Sequence, residues 1–175
     1  MTLALPQDIA LHVLHAVRHN DSSPLLTHYT KDSLCLYTTS RNNHLEGGLV
    51  EVVREFGEQS VAYLGLASTA LVDQTLTDAI RGTQNLITAA EATPSRFVAA
   101  LEEGGCLGGY TADEVHAAFA NRPPTVHDAT KTFQFAGGGD HDDLPAVAAF
   151  FHGHLAVLEA ARERNLSVAY LLWLY

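Results

Sequence analysis

The densest set of side chains able to do chemistry lies between Gly137 and His154. There the chain reads Gly-Gly-Gly-Asp-His-Asp-Asp-Leu-Pro-Ala-Val-Ala-Ala-Phe-Phe-His-Gly-His. Imidazoles and carboxylates are the groups that hold a divalent ion and let it activate a water. His141, Asp142 and His154 come from this stretch; with His127 and Asp128 upstream they form the candidate metal set. His116 joins them if the chemistry is metal-dependent hydrolysis.

The same stretch reads more simply as the start of a helix. Asp140, Asp142 and Asp143 precede Pro145, and carboxylates there accept from free N–H groups and oppose the positive helix end. A continuous helix carries His152 roughly 12 Å beyond the loop acids, far outside the ~2 Å reach of a metal–ligand bond. It also turns His152 and His154 about 200° apart, onto opposite sides. The cap is the favoured reading, and a bound divalent metal is the alternative.

A second group, Asp8, His12, His15 and His19, falls on one helical stripe opposite Ile9, Val13 and Val17. That geometry predicts a solvated face, which can take up protons in mildly acidic solution. The glycine run Gly104-Gly105-Cys106-Leu107-Gly108-Gly109 follows a helix and not a strand, and lacks any Gly-Lys-Ser/Thr, so it reads as a helix stop. Cys35 sits in an apolar alternating segment and reads as a small buried hydrophobe. Cys106 has no sequence-local base, and no Gly-x-Ser-x-Gly is present.

His127-Asp128-Ala-Thr-Lys131 resembles the His-Asp-x-x-Lys core of HD-domain metal-dependent phosphohydrolases, in which the adjacent His and Asp ligate metal. The resemblance covers these five residues; the family's earlier histidine and late aspartate have no counterpart at the usual spacing. The order helix, Asn-Asp break, short helix, strand over Leu5–Tyr37 is similar to the entry of a nuclear transport factor 2-like cone. Glu46 to Ser68 is similar to a helix–strand unit of actin-depolymerising-factor homology domains, without that family's lysine-rich helix.

Charge narrows the partners. Twenty acids against ten bases give −10, and only Lys31 and Lys131 are lysines. Nucleic-acid and anionic-membrane binding both need a basic surface, so neither is expected. An apolar fraction of 47% with 17% charged residues is that of a globular chain. Two distant cysteines give no disulfide framework, and no signal segment opens the chain, so a cytoplasmic location is expected.

The elements that must position these groups are mostly helices. Ile9, Val13 and Val17 mark the first, with Pro6 at its first position and Asn20-Asp21-Ser22-Ser23-Pro24 as its break. Glu46 to Gln59 reads as a helix. Val72, Leu76, Ala79, Thr83, Leu86 and Ala90 step by near-heptad spacing along a long one, suited to lengthwise packing in the same chain or in a second subunit. Thr93-Pro94 reads as the N-cap and first residue of the next, with Phe97, Ala100 and Leu101 inward. Thr111-Ala-Asp-Glu114 is a capping box before Val115, Ala118 and Phe119. Pro145 to Arg164 is helical, and Asn165 is its stop. Strands are expected over 33–39, 131–136 and 168–175, with 61–66 open between strand and helix. The tail through Trp173 to Tyr175 is apolar on both faces and must dock.

The expected fold is a helix-rich α+β single domain over 1–175 with a small sheet, all-α being the alternative. The expected function is non-catalytic, through protein–protein contacts or self-association, with Val72, Leu76, Leu86, Trp173 and Tyr175 as interface candidates and no cofactor. The alternatives are a metal-dependent hydrolase and a small-ligand domain lined by Phe150, Phe151 and Trp173.

Overall fold

The computed structural model describes residues 2–29, 34–38, 51–57, 68–105, 109–121, 133–135 and 144–171. The fold is helix-rich α+β. Its strands are β1 (Thr2–Leu5), β2 (Cys35–Thr38), β3 (Thr69–Leu71), β4 (Phe133–Phe135) and β5 (Ser167–Tyr170). They form one sheet in the order β3-β5-β1-β2-β4. All neighbours are antiparallel except β2 and β4, which run parallel.

The helices are α1 (Gln7–Arg18), α2 (Ser23–His28), α3 (Asp73–Ala92), α4 (Pro94–Glu103), α5 (Ala112–Ala120) and α6 (Leu144–Glu163), with a π-helical segment at Val53–Gly57. Among the described residues, no helix is long and apolar enough to cross a membrane.

The sheet is covered on both faces. Leu3, Leu5, Ala169 and Leu171 point to one side and pack with Ala10, Val13 and Leu14 of α1 and Leu25 of α2. Ala4, Leu71, Val168 and Tyr170 point to the other, into the larger core built from α3 to α6. Register enforces this, since Ala4 pairs with Val168 and Leu3 with Ala169, and residues directly opposite share a face. A strand buried on both sides has no polar face, so β1 (Thr-Leu-Ala-Leu) and β5 (Ser-Val-Ala-Tyr) are buried throughout.

That accounts for the strands missing from the sequence reading. β1 and β3 lack apolar–polar alternation, and both lie directly before a helix, at Pro6 and Val72. Segments 133–135 and 167–170 fall within or across the expected strands, and β5 sits inside the sheet between β3 and β1. Residues 61–66 and 172–175 lie outside the described residues.

Helix ends follow local chemistry. Asn20 and Asn165 adopt φ of 60° and 54°. Each closes its helix with paired bonds of the Schellman type: Asp21 N–H to Ala16 at 2.9 Å, and Leu166 N–H to Ala161 at 2.8 Å. Gly105, at φ 87°, follows α4, its N–H donating to the Glu102 carbonyl at 2.9 Å. The Thr111–Glu114 box is present in full, with the Thr111 N–H donating to Glu114 Oε2 at 2.8 Å and the Glu114 N–H donating to Thr111 Oγ1 at 3.3 Å. These bonds from the Thr111 amide and hydroxyl hold the Glu114 carboxyl below its ordinary pKa.

Thr93 and Pro94 stand as the N-cap and first residue of α4, as expected, though the Thr93 hydroxyl donates backward to the Ala89 carbonyl at 3.0 Å instead of capping, because α3 runs to within one residue of Pro94. One cap expectation is corrected. Pro6 stands at the cap position of α1, one place before its first helical residue. Of the helix expected over Glu46–Gln59, the described part is helical but widens into the π segment at Val53.

Candidate functional site

α6 runs unbroken through Gly153, which is what separates its two histidines. His152 is half-buried, with Nε2 2.9 Å from the Phe119 carbonyl of α5. His154 is fully buried on the opposite side, with Nδ1 3.0 Å from Thr2 Oγ1 of β1. Its ring meets Tyr170 of β5 edge-on at 6.2 Å. Burial drives its pKa from the ordinary 6.5 down to about 3, so the ring is neutral across the physiological range. The metal candidate His154 is therefore placed as a core histidine, tied to the sheet.

Of the other chemical candidates, His127, Asp128, His141 and Asp142 lie outside the described residues. His116 is exposed on α5, with Nδ1 2.9 Å from the Glu91 carbonyl near the end of α3. No group of three or more His, Cys, Asp or Glu stands together among the described residues. The Asp8, His12, His15 and His19 stripe is exposed as its spacing predicts. His15 and His19 stack with centroids 4.4 Å apart, and His19 Nδ1 lies 2.7 Å from the His15 carbonyl.

The interface candidates divide. Leu76 and Leu86, at 5% and 0% exposure, are spent on the chain's own core. The near-heptad stripe of α3 packs against α6, α5 and the π segment, so it leaves no apolar face open. Val72 is half-buried just before α3, and its N–H donates to Thr75 Oγ1 at 2.8 Å. Trp173 and Tyr175 lie outside the described residues.

Phe151, named for an aromatic-lined pocket, is 0% exposed. Phe151 belongs to a ladder of rings crossing the core. Phe56 stacks on Phe97 at 6.1 Å, Phe97 meets Phe119 edge-on at 5.2 Å, and Phe119 stacks on Phe151 at 6.3 Å.

Two surface features went unread in the sequence. Leu26 on α2 and Leu11 on α1 are exposed at 69% and 46%, and α2 packs on α1. Isolated leucines on polar faces carry no sequence signal of their own. The other feature is a cleft of about 640 Å³ where β1 turns into α1, β3 into α3 and α6 into β5. Its charged walls, Asp73 and Arg162, come from segments far apart in the chain, so no local motif marks it.

Comparison with known proteins returns no matching family model, no similar curated protein and no similar solved structure.

Proposed function

We propose that this is a non-catalytic domain that works by contact, through the outer face of the α1–α2 layer. The observation that carries this reading is the pair Leu11 and Leu26: among the described residues they are the large hydrophobics left exposed, and they sit on neighbouring helices. Fully covering an exposed leucine contributes about 1.5–3 kcal/mol, and a partner on that face would gain part of this at each of the two positions. The apolar stripes of α3, α4 and α5 are already consumed by the core, so among the described residues the exposed large hydrophobics lie on α1 and α2. The reading includes self-association with a second copy of the chain.

Light scattering coupled to size exclusion tests it. The expected result is a concentration-dependent dimer that Leu26→Glu, alone or with Leu11→Glu, returns to monomer with its circular dichroism unchanged. A wild-type chain that stays monomeric at several hundred micromolar overturns the self-association reading.

A further inference from the structure

The cleft has a topological cause. β1 and β3 flank β5 and run antiparallel to it, so their carboxyl ends and the start of β5 lie at one end of the sheet. α1 and α3 begin there and α6 finishes there. Neither opening helix receives a side-chain cap. Their first N–H groups therefore add positive potential at this end of the sheet.

Ser167, Arg162 and Asp73 are among the polar side chains that line the cleft walls. Ser167 is only 6% exposed, yet among the described residues its hydroxyl makes no hydrogen bond. Buried polar groups are normally satisfied, and an exception calls for a cause. Arg162 and Asp73 line the same cleft, but neither joins an ion pair with the other or with any described residue. Asp73 also holds φ at 45°, a conformation that β-carbon sterics disfavour. A cation and an anion without an ion-pair partner among the described residues, and one buried hydroxyl residue, thus line a common space.

We propose that the cleft binds a small zwitterion of the amino-acid type. The carboxylate is received by Arg162, the Ser167 hydroxyl and the opening amides of α1; the ammonium is received by Asp73. A guanidinium and a hydroxyl suit a carboxylate, and Asp73 disfavours a ligand carrying negative charge alone. The site is separate from the α1–α2 contact face, so either reading can fail without the other.

The test is isothermal titration of the full chain with each of the twenty L-amino acids in turn. The expected result is saturable binding of at least one, weakened tenfold or more by Arg162→Gln and by Asp73→Asn. Asparagine tolerates the left-handed backbone, so Asp73→Asn removes the charge and keeps the turn. Ser167→Ala is expected to weaken binding several-fold. The deaminated acid and the decarboxylated amine of the binding amino acid are expected to fail. Absence of saturable binding by all twenty, equal binding by folded Asp73→Asn and Arg162→Gln, or equal binding of the deaminated acid each overturns the proposal.

Discussion

His154 Nδ1 lies 3.0 Å from Thr2 Oγ1, joining α6 to the inside of the sheet through a layer from which water is excluded. With its pKa held near 3 by burial, the folded chain refuses a proton that the unfolded chain accepts near 6.5. Between those values the unfolded state binds more protons, so stability rises with pH. It is complete above about pH 6.5 and falls by up to about 1.4 kcal/mol for each pH unit below that. Urea denaturation from pH 7 to pH 4 should show this slope, and His154→Asn should flatten it. Equal slopes in both proteins would remove His154 as the acid-sensitive group.

Thr2→Val keeps the shape of the threonine and deletes its hydroxyl. Stripping a partner from a buried polar group costs about 1–3 kcal/mol, whereas Thr2→Ser keeps the bond and is expected to cost less. Denaturation midpoints at pH 7 order the three proteins. Valine equal to wild type would mean that the Thr2 bond contributes nothing to stability.

Phe119 touches both Phe97 and Phe151. Phe119→Ala therefore opens a void in the centre of the ring ladder and should cost about 3–5 kcal/mol. Phe119→Leu, which refills part of that volume, should cost clearly less.

The capping box of α5 gives a smaller, local effect. Thr111→Ala is expected to cost about 1 kcal/mol. Glu114→Gln keeps an acceptor for the Thr111 amide and should be milder than Glu114→Ala. Hydrogen exchange of the first-turn amides of α5 reads the loss directly.

Periodicity revealed every long helix, because an amphipathic stripe needs only the chain's own 3.6-residue repeat. Phe97, Leu101, Val115 and Phe119 all point inward as their spacing required. Chemically explicit ends were also legible, as Asn165 and Thr111 illustrate. Strands sandwiched between helix layers were harder to see: Thr2–Leu5 has no polar side to alternate with, and Thr69–Leu71 merges into the apolar register of α3. The cleft was invisible for a different reason. Asp73, Arg162 and Ser167 meet only because antiparallel pairing brings three junctions to one end of the sheet, and no linear spacing encodes that.

Leu5 opposite Ser167 has a kinetic corollary. The strand over Thr2–Leu5 hydrogen-bonds to one made only after all six helices, so this pairing cannot form until Ser167–Tyr170 has been synthesised. Until then the underside of α1 lacks Ala169 and Leu171, and a product truncated before Ser167 would present part of that greasy surface to whatever chaperones and proteases are nearby. Contacts so distant in sequence also slow the search for the native pairing. Refolding in a test tube should therefore be sluggish for a molecule so rich in helix.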